Sequence, residues 1–387
     1  MKSSTTARLV TVASALLGIA CSAGEHTRGR SATIDTVAGV VRVRNSGEAA
    51  AWRLEPVATI GAEDGPGSFG QINGIVADGD GQIYVADSRA AEIRVFDARG
   101  AHVRTVGRRG AGPSEFGSLY SIGWTGDTLA VLDPGNGRIG LMSSTGEWLG
   151  QLRHDHITGP RLHLYEVGDA LYWMTTRRGS GRTLESVYAR YADGRLDTLA
   201  YPAPAPIQSA TIVCPHPSGG GISFFSNPYS VRPRPVPAPD SQFAFVPGAE
   251  YHIALITTTG DTARIIEKRY EPVPISDAEW DEATKEYRDW MSKAPGAKCN
   301  PVEFTRPAAK SAVRDIFYDD GQRMWVEVTS RDGFTFDVFD REGRQIGSVP
   351  APARYRDVPP YIRGDRLYLV VADSLDVQSV RVFNVKR

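Results

Sequence analysis

The stretch "GQIYVADSRAAEIRVFDARG", residues 81–100, decides the fold of this 387-residue chain. It contains two short runs in which apolar and polar residues alternate, separated by a polar kink and closed by a turn with glycine. Alternation with period two, rich in β-branched and aromatic residues, predicts a strand, so the two runs predict an antiparallel hairpin. Whether this hairpin stands alone or recurs along the chain decides between an ordinary sheet and a repeat architecture.

The hairpin is one copy of a unit that recurs along the chain. A tight polar turn followed by an alternating strand begins at six positions: Asp78, Thr125, Val167, Ala238, Asp319 and Arg363. A second turn, with glycine after a strand, occurs at five: Gly100, Gly146, Gly194, Gly260 and Gly343. The sixth strand of that type runs off the C-terminus, while "PVATI" near the N-terminus lacks a unit of its own. We therefore expect six four-stranded antiparallel units, strands a to d, with the N-terminal strand completing the last unit, which is a closed six-bladed β-propeller.

One repeat carries a recognisable motif. The segment "LDPGNGRIGLM" fits the pattern D-x-G-N-x-R-I through Asp133, Gly135, Asn136, Arg138 and Ile139. The chain resembles the bacterial six-bladed, NHL-like propeller lipoproteins, with Ala90 in blade one where the asparagine of the motif would lie. The resemblance implies a single propeller domain over residues 50–387. It implies little about activity, because propellers host unrelated functions.

The N-terminus is typical of an exported lipoprotein. Residues 1–20 have the charge and apolar run of a signal peptide, and "LLGIAC" resembles a lipobox that ends at Cys21. Plain secretion with a chance cysteine is the alternative. Ser22 rather than aspartate after the cysteine favours, by the sorting rule of that family, the outer membrane of the bacterial cell envelope. Residues 21–49 are predicted to be a flexible tether.

The composition argues against nucleic-acid binding. The formal net charge is −1, charged residues make up 23% of the chain, and no run of basic residues is present, whereas nucleic-acid binders show a basic patch. The 40 glycines and 25 prolines predict many turns and few long helices. We expect a monomer that meets the membrane only through its lipid anchor.

Two insertions interrupt the repeat, at about residues 203–231 and 272–310. In the second, Ser276 and Glu279 form a capping-box pattern that begins a helix running to Lys293. Its apolar face is predicted from Trp280, Ala283, Tyr287 and Met291. Both insertions are links from strand d to strand a, so they lie at the same end of the ring, where we expect ligands to bind. The alternative is that the helix merely plugs the channel or shields an edge.

The remaining cysteines, Cys214 and Cys299, lie one in each insertion. An oxidising compartment and strand polarity, which brings both insertions to one end of neighbouring blades, predict a disulfide between them. Such a bridge would hold the helix over the channel mouth. Two unpaired buried thiols are the alternative.

Several polar residues near strand starts and links are candidates for ligand binding. They are Asn73, Arg89, Asp133, Asn136, Arg138, His163 and Asp315. The pair Asn136 and Arg138 is equally typical of residues that hold a loop together. The histidines His154, His156 and His163 are weak metal candidates, since no zinc signature of fixed spacing is present and a solvated polar loop explains them as well.

These features predict an envelope-bound binding module for a protein, peptide or glycan, with no catalytic residue and no cofactor assigned. The alternative is a metal-dependent lactonase, hydrolase or lyase of the six-bladed propeller type, which would use calcium or zinc. The sequence contains neither a G-x-S-x-G motif nor a phosphate-loop motif. No other motif in it excludes catalysis, so the sequence leaves open whether the protein is an enzyme.

Overall fold

The computed structural model describes residues 32–61, 64–153, 163–179, 184–200, 211–217, 219–230 and 235–387. Its strands form six blades and one separate hairpin. The N-terminal strands are β1 (Ala32–Val37), β2 (Val40–Asn45) and β3 (Arg53–Ile60). Blade one contains β4 (Ile72–Ala77), β5 (Ile83–Asp87), β6 (Glu92–Phe96) and β7 (His102–Val106). Blade two contains β8 (Ser121–Thr125), β9 (Thr128–Asp133), β10 (Arg138–Met142) and β11 (Trp148–Arg153).

The second half of the chain adds four blades and the inserted elements. Blade three contains β12 (Tyr165–Val167), β13 (Ala170–Arg178), β14 (Leu184–Ala192) and β15 (Arg195–Ala200). The inserted hairpin is β16 (Thr211–Pro215) and β17 (Ile222–Ser226). Blade four contains β18 (Val236–Ala238), β19 (Gln242–Phe245), β20 (His252–Ile256) and β21 (Thr262–Lys268), and α1 (Asp277–Lys293) follows it. Blade five contains β22 (Val313–Tyr318), β23 (Met324–Ser330), β24 (Gly333–Phe339) and β25 (Gln345–Pro350), and blade six contains β26 (Tyr361–Arg363), β27 (Arg366–Ala372) and β28 (Gln378–Lys386).

The predicted ring closure is confirmed. Strand β3 pairs antiparallel with β28, with Leu54 opposite Val385, so the two ends of the chain complete blade six together. The six polar turns found in the sequence connect strands a and b, and the five glycine turns connect strands c and d. The six-bladed propeller fold is therefore confirmed.

The glycine turns have a packing reason as well as a conformational one. Gly146 has φ 93°, a value that favours glycine. A β-carbon there would lie 2.7 Å from Val106 on strand d of the preceding blade. Gly343 of blade five lies against Ile266 of blade four in the same way, with a corresponding distance of 2.8 Å. These two turns pack directly on the neighbouring blade, whereas the turns at Gly194 and Gly260 have no atom within 4 Å of such a β-carbon.

The expectation that residues 21–49 form a flexible tether is wrong for residues 32–45. Strands β1 and β2 form a hairpin around Ala38 and Gly39, whose φ values are 51° and 82°. Strand β2 then pairs in parallel with β21, so that blade four has six strands. The alternating valines of "VVRVRN" explain the docking, since Val43 is completely buried against the blade.

The chain after this hairpin stays attached to the outside of the ring. The Asn45 side chain is buried, donates to the Gly343 carbonyl at 3.0 Å and accepts from the Gln345 amide at 2.8 Å. The Trp52 ring lies where a side chain at position 347 would be, so glycine is required there. Residues 32–52 therefore link blades four, five and six before β3 closes the ring.

The two insertions fold against each other. The predicted disulfide between Cys214 and Cys299 is confirmed, which makes the alternative of two free thiols wrong. Around it a small apolar core forms from Ile212, Phe225 and Tyr287, with the rings of the last two 5.2 Å apart. The first insertion contains the hairpin β16–β17, and hydrogen bonds exchanged between Val213 and Asn300 connect it to the second insertion.

The inserted helix begins with the predicted capping box. The Ser276 hydroxyl accepts from the Glu279 amide at 3.2 Å, and the Glu279 carboxylate accepts from the Ser276 amide at 2.9 Å. The buried face differs in one position from the prediction, because Thr284 is buried and Ala283 is exposed. The Thr284 hydroxyl donates to the Trp280 carbonyl, which satisfies it inside the helix.

Candidate functional site

The two ends of the ring differ. We call the end that carries the d-to-a links, the b-to-c links, β16–β17 and α1 the insertion face, and the end with the six a-to-b turns the turn face. On the insertion face a cavity of about 790 Å³ lies between the insertions and blades four and five. Its lining comes from both insertions, from blade five and from the link after blade five, and includes residues 226–230, 310–311, 313–316, 329–331, 333–334, Glu279 and Arg356. This insertion cavity is within the size range of ligand sites in proteins.

The lining of the insertion cavity is rich in cations. Arg314 lies over the Phe334 ring, 3.6 Å from its centroid, and 4.0 Å from the buried carboxylate of Glu327. Burial lowers the pKa of Arg314, and the positive charges of Arg356 and Arg354 lower it further. The carboxylates of Glu327 and Asp315 act in the opposite direction and raise it.

A buried ion cluster supports this wall of the cavity. The Arg354 side chain is only 3% exposed and pairs with Asp315 at 2.6 Å and with Glu327 at 3.1 Å. Its Nη1 atom is buried without a hydrogen-bond partner. On the helix side, Lys310 contacts Glu279 at 2.5 Å and, with the Ser276 groups, lowers the pKa of Glu279 to about 2. Each cluster contributes fixed charges to the lining of the cavity, through Asp315 in one and through Lys310 and Glu279 in the other.

At blades one and two the candidate residues have structural partners. Buried Asp133 accepts from the amides of Gly117 and Ser118 at 3.0 and 2.8 Å. Asn136 donates to Asp133 and to the Gly110 carbonyl, and Arg138 donates to two carbonyls of the same link. The three residues of the NHL-like motif thus hold the link from blade one to blade two.

A second cavity on the insertion face, the mouth cavity, has a volume of about 410 Å³. It is lined by two of the candidate ligand residues, Asn73 and His163, together with Arg109 and Asp357. Asn73 donates to the Leu119 carbonyl at 3.3 Å. Arg89 is exposed in the nearby b-to-c link of blade one, where its carbonyl accepts from Arg109. The structure brings Asn73 and His163 to one cavity and leaves Asp315 in the other.

Other predicted site residues lie outside the described part of the chain. These are Cys21, His154 and His156. Among the residues that are described, no group of three or more His, Cys, Asp or Glu side chains is placed to hold a metal ion. No helix in that part of the chain is long and apolar enough to cross a membrane.

The central channel contains a cluster that the sequence analysis missed. Its cavity of about 370 Å³ is lined by strand a of every blade, and none of its described lining residues belongs to α1. The mouth cavity at the insertion-face end, about 410 Å³, likewise has no described lining residue from α1, whereas Glu279 of α1 lines the cavity beside blades four and five, so the expectation that the helix lies over the channel mouth is wrong. In the channel, burial raises the pKa of Glu166 to about 7, although the Trp124 amide at 2.7 Å and the Tyr361 hydroxyl at 3.1 Å both donate to it.

This contact crosses the channel. Glu166 belongs to blade three and Tyr361 to blade six, which face each other across a six-membered ring. Arg363 lies near Glu166 and helps to lower its pKa, whereas Asp320 raises it. Because the partners are 195 residues apart in the chain, no local sequence motif predicts their contact. The one indication in the sequence is Glu166 itself, a charged residue in an otherwise apolar strand a.

The fold is supported by comparison with known proteins. Residues 68–232 match the model of the DUF5128 family, described as a 6-bladed beta-propeller. No curated protein matches the chain.

Similar solved structures are distant in sequence. A DUF4221 family member from Bacteroides vulgatus is 10% identical with a TM-score of 0.48, and covers 88% of this chain and 98% of its own. A Bacteroides fragilis protein proposed to be exported is 11% identical, with a TM-score of 0.44 and coverage of 87% and 96%. Virginiamycin B lyase from Staphylococcus aureus is 11% identical, with a TM-score of 0.40 and coverage of 86% and 99%. None of these likenesses carries an argument about what the chain binds or catalyses.

Proposed function

We propose that the protein is a binding module of the bacterial cell envelope that takes a protein, peptide or glycan ligand in the insertion cavity. We further propose that it is exported as a monomer and anchored to the outer membrane through an acylated Cys21. The ligand would contact blades four and five on one side and the inserted hairpin and helix on the other.

One observation carries the binding proposal. The insertions are joined by a disulfide, have an apolar core of their own, and wall a cavity of about 790 Å³. In the links before blades one and two, backbone amides donate to the buried aspartates Asp87 and Asp133, and the cavity beside these links is smaller, about 410 Å³. Specialised walls that the repeat itself does not need are typical of a ligand site on a common scaffold.

The hairpin at residues 32–45 changes the geometry expected of the anchor. If Cys21 is acylated, only residues 22–31 remain as a free connection to blade four, instead of the longer tether that the sequence predicts. Ten extended residues span at most about 35 Å. The propeller would therefore stay close to the membrane that holds the lipid.

A blocking variant tests the site. We suggest measuring binding of residues 32–387 to a panel of muropeptides, neutral and acidic oligosaccharides, and a displayed peptide library. Ser330 lines the insertion cavity, so Ser330→Trp should fill it and abolish binding. Ser144→Trp, on an exposed turn of the opposite face, is the matched control. Binding that survives Ser330→Trp, or a panel from which nothing binds, would contradict the proposal.

A second function, hydrolase or lyase activity on a small molecule in the channel, is favoured by one observation. Glu166 has a pKa of about 7 in a cavity of about 370 Å³, and carboxyl groups so shifted are common among catalytic acids and bases. Metal analysis of the purified domain separates the two functions. A stoichiometric bound ion would favour the metal-dependent enzyme, with calcium or zinc as the metals to seek.

A further inference from the structure

We infer that the ligand of the insertion cavity is an extended peptide that docks along β17 and places a carboxylate between Arg314 and Arg356. This inference deepens the proposed function and rests on it. It is drawn from the charge balance of the cavity and from an exposed apolar track that leads into it.

Three guanidinium groups, those of Arg314, Arg354 and Arg356, face two carboxylates, so the charge balance leaves one positive charge for a ligand. Lys310 is neutralised by Glu279, and Arg331 contacts Glu271. Glu327 is shared, since Arg354 holds it at 3.1 Å and Arg314 is 4.0 Å away.

Within the described part of the chain, no carboxylate forms an ion pair with the exposed Arg356, which lines the same cavity as Arg314. Burial is the main cause of the lowered pKa of Arg314, and repulsion by Arg356 adds to it. An anion between them would relieve this repulsion. The planar fork of arginine suits a carboxylate, with which it forms paired charge-assisted hydrogen bonds.

The apolar track is the outward face of β17. Side chains two residues apart lie on the same face of a strand, and on this face Ile222 is 58% exposed and Phe224 is 68% exposed. Ser226, the next residue on that face, lines the insertion cavity. The track is therefore continuous with the cavity.

The track suits an extended chain. Among the described strands, β17 pairs with β16 alone, which leaves its other edge for strand addition by a peptide. Large exposed apolar side chains beside such an edge are typical of interaction surfaces. A peptide in this position would run along Ile222 and Phe224 and enter the cavity past Ser226.

The same features favour a peptide over a glycan. A sugar ring stacks on an open aromatic face, and inside the cavity the Phe334 ring already carries the Arg314 guanidinium at 3.6 Å. The apolar side chains lie instead along a strand, where alternate side chains of a peptide would contact them. The carboxylate itself could be a C-terminus or an aspartate or glutamate side chain.

The test is selection from a library of random seven-residue peptides, displayed with free or with amidated C-termini. We expect enriched peptides to combine β-branched or aromatic residues with a carboxylate. Enrichment only among free C-termini would assign the carboxylate to the chain end, and enrichment of Asp or Glu in both libraries would assign it to a side chain. Each selected peptide should bind Arg314→Gln/Arg356→Gln about tenfold to a hundredfold more weakly, the usual scale for a lost charge-assisted hydrogen bond.

Two variants make the outcome specific. Phe224→Ser should weaken the same peptides without altering the melting temperature, because the side chain is exposed. Arg99→Gln/Arg195→Gln removes the same charge from exposed positions on the turn face and should leave binding unchanged. Arg356→Gln alone, at an exposed residue, keeps the test valid if the double variant unfolds.

The outcomes also separate this inference from the proposed function. Suppose that uncharged ligands bind the wild type and the arginine variant equally but do not bind Ser330→Trp. This result would overturn the inference of a bound peptide carboxylate and keep the cavity as the binding site. Selective binding of acidic oligosaccharides in place of peptides would overturn it too. Peptide binding that ignores Ser330→Trp would overturn both.

Discussion

Different contacts hold the link between blades at two junctions of the ring, the one between blades one and two and the one between blades four and five. In blades one and two the last residue of strand b is a buried aspartate, Asp87 or Asp133, that accepts amide hydrogens from the preceding link. Each of these aspartates lies four residues after the residue of strand b that pairs with the end of strand c. The same position in blade five is occupied by Val328. Thr329 and the disulfide-linked insertions hold that link instead.

The two junctions differ in how many of their polar side chains are used in contacts within the fold. At blades one and two, the carboxylates and Arg138 are occupied by the main chain of a short link, so the junction is stable and offers little to a ligand. At blades four and five, the insertions supply the stability, and Arg314 and Arg356 are left facing a cavity. In the function proposed above, structural and binding roles are therefore separated between junctions of one ring.

The largest expected effect tests this separation directly. Asp133→Ala would leave the buried Arg138 without its carboxylate partner and the amides of Gly117 and Ser118 without an acceptor. Loss of one member of a buried pair costs about 3–5 kcal/mol of unfolding free energy, measurable by denaturant titration. The matched change Asp315→Ala should cost less than about 1 kcal/mol, because Asp315 is partly exposed and Arg354 keeps Glu327. Equal losses would remove the distinction between the junctions.

The next effect is that of the disulfide. The bridge joins cysteines 85 residues apart, and its removal in Cys214→Ser/Cys299→Ser should lower the unfolding free energy by about 2–4 kcal/mol, mainly by freeing the unfolded chain. Hydrogen exchange should accelerate in β16, β17 and α1 and remain slow in β8 to β11. Uniform acceleration over the whole ring would mean that the insertions are not a separate unit.

The channel gives a third comparison, through pH. The pKa of Glu166 is raised from 4.5 to about 7 in the fold, so ionisation opposes folding, and stability is lost as pH rises between these values. Glu166→Gln escapes this loss and keeps an acceptor for the Trp124 amide.

We expect the Glu166→Gln variant to match the wild type in unfolding free energy near pH 4.5 and to exceed it by about 3 kcal/mol at pH 8. Unfolding titrations across that range measure the difference. A difference that does not change with pH would show that Glu166 is ionised normally.

The smallest effect concerns the helix cap. Ser276→Ala removes the hydroxyl that accepts from the Glu279 amide, a loss worth about 1 kcal/mol. The effect should appear as faster exchange in α1, with blades one and two unchanged. Ser292→Ala, near the other end of the helix, is the control and should have less effect. A cap variant that destabilises the ring as a whole would contradict the separation of the insertions from the blades.

The sequence predicts the parts of this molecule that depend on local pattern. The turns at Asp78 and its five equivalents, the capping box at Ser276 and the closing strand follow from spacing and turn chemistry. The disulfide follows from topology once the ring is recognised. The hairpin at residues 32–45 was missed because its valines gain a partner only when β21 is already in place.

The missed site residues depend on long-range contacts. Glu166 meets Tyr361 across the channel, and Arg354 joins Asp315 and Glu327 from the following link. Each is an ordinary polar residue in its local sequence. Their roles arise only from the closure of the ring, which sets the distance and burial of groups far apart in the chain.

The central claim is that ligands bind at the junction of blades four and five. It is tested most directly by hydrogen exchange of residues 32–387, with and without whichever member of the ligand panel binds. We expect protection in residues 226–230, 310–316 and 329–334, with no change at residues 117–120 beside the mouth cavity or at Glu166 in the channel. Protection confined to the mouth cavity or to the channel would contradict the claim.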